Sequence, residues 1–299
     1  MSSSTSGQEN ERHSPGYEKF ELLEQRGVRH AFSVVPENMS FGAEQDMAGR
    51  EALSRRLNEF LIQLGIPTKR QVTMTANLNK PAGNLVRIGA GGILLEELPL
   101  LRDIYHDPAR PLVPEYPRFV DSSFEADGLF TTERGLTIEI VSRDCMTVVI
   151  SGGSGDSPLT ALLHGGRRQI EGGLADRALE KCSELGFRPG DLAVALGPRI
   201  GKCHYSFSRR ALAEDEAGTR INETRWGTFL KETSSDVFTL DIGGLFVEDL
   251  VKRGVPRNQI AVSDVCTYEA QQSGISNASL RYQREHNLPA GRMISVACA

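Results

Sequence analysis

Apolar positions along the chain fall into two rhythms. Met47, Leu53, Leu57, Phe60, Leu61 and Leu64 recur at helical intervals, and Gly65 followed by Pro67 supplies a stop. The spacing predicts an amphipathic helix whose one-sided stripe serves packing rather than chemistry. Upstream, His30 to Val35 reads as a short extended run. Beyond residue 118 the texture changes. Leu136 to Val141, Met146 to Ile150 and Leu159 to Leu163 are short β-rich runs separated by Gly and Ser, the mark of buried strands. A helix is expected from about Arg167, with Ile170, Leu174, Leu179, Cys182 and Leu185 on one stripe and Gly186 then Pro189 closing it. Cys182 is then a core thiol. Asp191 to Leu196 reads as a strand, Leu245 to Lys252 as a helix, and Gln259 to Val262 and Met293 to Ala297 as late strands.

Strands alternating with helices indicate an α/β fold, a mixed sheet with packing helices. Residues 1 to 18 are Ser-rich, with Tyr17 as their one large apolar side chain, and are expected to be a disordered tail ahead of a single domain over residues 19–299. Residues 106 to 118 hold four prolines and are expected to form a linker or surface loop. No internal repeat is visible.

Composition narrows the chemistry. A chain of 299 residues can bury roughly 75% of its unfolded surface, so a metal would serve function rather than folding. The net charge of −5, with both signs interspersed, lacks the basic footprint that nucleic acid demands. No run of about 18 apolar residues exists, and the opening MSSSTSGQENERHSPG has no apolar core, so no membrane partner is expected and the cytoplasm is the expected location. Five cysteines at irregular spacings, without a CxxC, fit reduced thiols.

The stretch richest in chemistry is Ser142-Arg143-Asp144-Cys145 at a strand end, followed by Leu163-His164-Gly165-Gly166-Arg167-Arg168 at a strand-to-helix junction. Two neighbouring strands joined by a loop of this size bring Cys145 and His164 to one sheet end, where a thiol and an imidazole can ligate a metal or form an activated nucleophile. Gly165 and Gly166 leave backbone N–H groups free beside Arg167 and Arg168, a candidate anion site.

Further along stand Gly197-Pro198-Arg199-Ile200-Gly201-Lys202-Cys203, Cys266-Thr267-Tyr268 and Gly291-Arg292-Met293. With Ala126-Asp127-Gly128, Asp144-Cys145 and the His164 motif, this order resembles the polyphenol oxidase, or laccase-domain, family of zinc-containing purine nucleoside phosphorylases. The resemblance covers about residues 120 to 299 and is weaker over 28 to 80. It implies a single laccase-domain-like α/β domain, structurally related to Cys-His deamidases. It also implies zinc held by two His and one Cys, with copper the less favoured ion. Phosphate would cleave adenosine, inosine or methylthioadenosine, and adenosine deamination is also attributed to the family. By position, Cys145 and His164 match the Cys and one His ligand, and with Arg168 they are the implied catalytic residues. Gly165, Gly166, Arg167 and Arg284 are the implied phosphate and substrate contacts.

The chain departs from the family where Gln71-Val72-Thr73 replaces Gln-Val-His, because a Thr hydroxyl is a poor zinc ligand. His204, Cys203, His106 or a water are the candidates for the missing ligand. Arg167 stands in place of a tryptophan, and the N-terminal signature is absent. Two alternatives follow. One is a metal-free hydrolase or deamidase with a Cys145–His164 thiolate–imidazolium dyad. The other is a non-catalytic member that binds a nucleotide or a protein. The oligomeric state stays open.

Overall fold

Strand Leu159–Gly165 is buried at every residue, yet its side chains divide between two layers. Leu159, Ala161 and Leu163 join one apolar cluster, and Leu162 joins another, as the period of two along a strand requires. The same alternation runs through Met146–Gly152, where Met146, Val148 and Ile150 face the first cluster and Val149 the second. These strands are apolar on both faces because each face is covered.

The computed structural model describes residues 16–33, 59–67, 71–75, 85–88, 118–120, 127–153, 158–213, 221–275, 279–289 and 291–299. Two six-stranded sheets lie face to face. The first runs in the order Tyr17–Glu18, Arg29–Ser33, Met293–Cys298, Thr137–Ser142, Gln71–Thr75, Arg118–Val120. The second runs Ile260–Val262, Ala193–Leu196, Met146–Gly152, Leu159–Gly165, Gly128–Thr131, Leu85–Ile88. Each mixes parallel and antiparallel pairs. Phe32, Ile138, Ile140 and Ala297 of the first sheet interleave with Leu129, Val149, Leu162 and Ala195 of the second. Outside the second sheet pack the helices Arg167–Glu171, Leu174–Glu184 and Ile242–Lys252 through Ile170, Leu174, Leu179, Cys182, Leu245 and Leu250. Outside the first sheet a helix over 59–63 seats Phe60 and Leu61 on Ala31, Val141, Ile294 and Val296. A small antiparallel sheet of Ser206–Ser208, Val237–Leu240 and Leu230–Ser234 completes the described sheets.

The mixed α/β expectation holds, with the strands shared between two large sheets. The helix expected from Arg167 is interrupted at Gly172-Gly173, where Gly173 adopts φ +81° and starts a new helix. Tyr17–Glu18, expected in the tail, pairs antiparallel with Ser33 and Phe32. Residues 1–15, most of the proline-rich stretch and the earlier stripe positions Met47, Leu53 and Leu57 lie outside the described residues. Among the described residues no helix is long and apolar enough to cross a membrane.

Candidate functional site

The antiparallel register of the central strands pairs Met146 with Gly165 and Thr147 with His164. Cys145, one residue before its strand, therefore stands across from Gly166, the N-cap of the next helix. A Cβ built on Gly166 would lie 2.6 Å from Gln169 Oε1, 3.3 Å from Cys145 Sγ and 3.4 Å from His164 Cε1, so thiol, imidazole and the Gln169 amide border one space that the glycine leaves free of a side chain. Sequence spacing predicted this meeting, and the structure brings the two side chains together.

His164 is 1% exposed, and neither Nδ1 nor Nε2 has a hydrogen-bond partner. A buried imidazole without partners is costly and calls for an explanation. Burial lowers its pKa from 6.5 to about 4. Burial, and then the neighbouring Asp144 charge, push the Cys145 thiol up to about 12 against the opposing pull of Arg143. The pair is thus a neutral thiol beside a neutral imidazole, with no hydrogen bond between them. Both shifts run against the thiolate–imidazolium form on which a metal-free dyad would rely.

The loop that presents Cys145 is held by Asp144. Its Oδ1 accepts from Thr267 Oγ1 at 2.7 Å, its Oδ2 from the Arg281 amide at 2.8 Å, and its carbonyl from the Ile200 amide at 2.9 Å. Gly197, ahead of that segment, has to be glycine: a Cβ there would sit 2.1 Å from the Phe32 ring.

Beside the loop, the charge of Arg284 acts on Arg143, and the charge of Arg143 acts on Arg292. Met293 pairs with Ser142, and one step beyond that pair lie Arg292 and Arg143. Burial lowers the Arg143 pKa, followed by the charge of Arg284; burial also lowers Arg292, followed by the charge of Arg143. Nε of Arg143 and Nε of Arg292 are buried without a hydrogen-bond partner. Like charges that act on one another make this end of the sheet a candidate anion site. Arg284 was expected here. Arg143 and Arg292 were not, although both stand inside quoted stretches, Ser142-Arg143-Asp144-Cys145 and Gly291-Arg292-Met293.

Other expected contacts fall differently. Arg167 is 7% exposed and donates to Glu171 Oε2 at 2.9 Å, an ion pair within its own helix. That helix is five residues long, which leaves little dipole for an anion, so the charge must come from side chains. Arg168 is half-buried on it, and Gly165 ends the strand. Thr73 lies in strand Gln71–Thr75, paired with Phe119 and Glu139. Cys203 and His204 gather with Cys266 and Glu269, all four donor atoms within 4.8 Å of one another, rather than with Cys145 and His164. His106 is outside the described residues. Tyr205 was also missed: its hydroxyl is raised by burial and then by Cys145, and its ring packs edge-on to Phe207 at 4.8 Å.

The chain is similar to known proteins along much of its length. A curated relative from Geobacillus stearothermophilus, named purine nucleoside phosphorylase YlmD, is 32% identical over 145 residues, covering 47% of this chain and 50% of the relative. Another, a purine nucleoside phosphorylase of Corynebacterium glutamicum, is 24% identical over 172 residues, 56% of this chain and 66% of the relative. The chain thus spans half to two thirds of the length of these relatives. The crystal structure of YlmD from Geobacillus stearothermophilus superposes with a TM-score of 0.70 at 19% identity, covering 97% of this chain and 98% of that one, which establishes the shared fold. The family described as multi-copper polyphenol oxidoreductase laccase matches residues 104–299, a span holding Cys145, His164 and all three arginines, and the chain belongs to that family.

Proposed function

We propose that the chain is a purine nucleoside phosphorylase acting at the space between Cys145, His164 and the three arginines. The observation that carries this reading is His164, whose two buried ring nitrogens have no partner while the Cys145 sulfur borders the same opening. Those two residues fit a metal such as zinc; Thr73 supplies no imidazole, which leaves the remaining positions to water or substrate. Zinc held there would supply Lewis acidity.

The chain's own groups carry the rest. Arg143, Arg284 and Arg292 neutralise and orient a phosphate dianion. One phosphate oxygen then forms a bond to C1′ of the ribose as the glycosidic C–N bond breaks, and the purine leaves with the electron pair and takes up a proton. Tyr205 and Phe207 offer an aromatic surface for the base, with the Arg281 guanidinium 5.7 Å and 5.4 Å from their ring centres. Relatives named purine nucleoside phosphorylase support the substrate class.

Purified protein incubated with adenosine, inosine or methylthioadenosine tests the reading. Free base should appear only when phosphate is present, and should be lost in Cys145→Ala and His164→Ala. Base released equally without phosphate would make it a hydrolase, inosine formed from adenosine would mark deamination, and no turnover of any nucleoside would leave a binding protein.

A further inference from the structure

Outside that site, four donor side chains converge with nothing in the proposed reaction to use them. His204 Nδ1 lies 3.2 Å from Cys203 Sγ, 3.7 Å from Cys266 Sγ and 3.6 Å from Glu269 Oε1, and the two sulfurs are 3.8 Å apart. A tetrahedral ion with bonds of about 2.3 Å to sulfur and about 2.0–2.1 Å to nitrogen and oxygen has ligand-to-ligand edges of roughly 3.3–3.8 Å. Four of the six edges fall close to that range, and the remaining two, from Glu269 to the sulfurs, lie within 4.8 Å. We propose that Cys203, His204, Cys266 and Glu269 form a second, separate metal site, closed by four protein ligands and matched to a borderline-soft divalent cation of the zinc type.

Local structure explains why these residues can meet. Cys266 is the N-cap of helix Thr267–Gln272, so Glu269, three residues on, returns to the same side one turn later. Cys203 and His204 arrive on the turn after Gly197-Pro198, where the His204 and Tyr205 amides both donate to the Gly201 carbonyl. The surroundings fix the ligand atoms as outer partners do in metal sites. The Gly201 amide donates to Cys266 Sγ at 3.2 Å, which suits a thiolate. The His204 ring stacks on Tyr268 at 4.2 Å and 10°, and the Tyr268 hydroxyl donates to Glu285 Oε2 at 2.7 Å. Two thiols, an imidazole and a carboxylate favour zinc over calcium or magnesium, which seek oxygen alone.

The site would act as a brace. It ties the 197–205 segment to the 263–272 segment, and those two segments hold Asp144 through Ile200 and Thr267. An ion here would stiffen the loop that carries Cys145 without touching substrate, whatever reaction that loop serves.

Full-length protein is reduced, loaded with Zn²⁺ or Co²⁺, dialysed, and measured for metal per chain and for its visible spectrum. Cys145→Ala serves as the background because it removes the thiol of the other site. In that background one ion per chain should remain, the cobalt form should show thiolate-to-metal charge transfer, and Cys203→Ser should abolish both. Glu269→Gln, at an exposed position, should weaken binding by about tenfold or more, the scale on which even outer partners act. Absence of metal from Cys145→Ala, or metal that Cys203→Ser and Glu269→Gln leave in place, would overturn the proposal. So would a Cys203–Cys266 disulfide that persists under reduction. Failure of nucleoside cleavage would leave these outcomes unchanged, so the two readings fail separately.

Discussion

His30 shows how a single buried side chain links sequence to measurable stability. Its Nε2 accepts from the Phe20 amide at 2.8 Å, its Nδ1 faces the Val28 carbonyl at 3.1 Å, and burial lowers its pKa from 6.5 to about 4. Between those pH values the unfolded chain binds a proton that the folded chain refuses. Stability is therefore complete above about pH 6.5, falls as pH drops toward 4, and levels off below. A shift of this size corresponds to about 3 kcal/mol. His164 adds a loss of the same sign when no metal holds it. Urea midpoints from pH 7 to 4 should fall accordingly, and His30→Gln, which keeps an acceptor and a donor, should flatten the slope; an unchanged slope would remove His30 from the account. If the proposed function holds, Arg143→Ala and Arg292→Ala should each raise the phosphate KM by about 10- to 100-fold, the worth of one hydrogen bond to a charged group, with the nucleoside KM little changed. Equal rises for both substrates would mean that the arginines shape the pocket rather than hold the anion. Cys145 and His164 were legible because a two-strand register links them locally. Arg292 was not, because it reaches Arg143 only when the last strand of the chain pairs with Thr137–Ser142, a contact no local pattern records.

At the scale of elements, the short helix after His164 depends on one carboxylate. Glu171 accepts from Arg167 Nη1 at 2.9 Å, from the Asn222 amide at 3.2 Å and from the indole of Trp226, which is fully buried. It thereby fastens helix Arg167–Glu171 to the Glu223–Trp226 turn across more than fifty residues of chain. Glu171→Ala would take the acceptor from a fully buried indole N–H and one ion-pair partner from Arg167, a loss of about 1–3 kcal/mol. Glu171→Gln keeps an acceptor for the indole and should cost less. Denaturant midpoints for the two variants check the order; similar losses would show that packing, not the acceptor, matters. The stripe Ile170, Leu174, Leu179 and Cys182 was readable from its period, and the break within it was written in the Gly172-Gly173 pair. Helices Thr267–Gln272 and Leu280–Glu285 span six residues each, too short to display a period. Strand Leu230–Ser234 is mostly exposed and polar, without the alternation that marks a half-buried strand.

For the whole molecule, the question is what joins the two large sheets. A strand apolar on both faces reads the same whether helices cover both sides of one sheet or a second sheet covers one of them, so sequence left the layering open. The structure puts a polar bridge inside that layer: Thr147 Oγ1 and Ser295 Oγ lie 2.6 Å apart, both buried, one on each sheet. Thr147 is also the residue paired with His164, so the bridge sits beside the candidate site. Thr147→Val would strand the Ser295 hydroxyl and Ser295→Ala the Thr147 hydroxyl, at about 1–3 kcal/mol each, because the remaining group keeps its desolvation cost without its partner. The double variant replaces both ends with apolar groups and should lose less than the two single losses combined, by a coupling of about 1 kcal/mol. Equilibrium unfolding of the four proteins measures that coupling. Strictly additive losses would mean that the hydroxyls act alone and that apolar interleaving by itself holds the sheets in register.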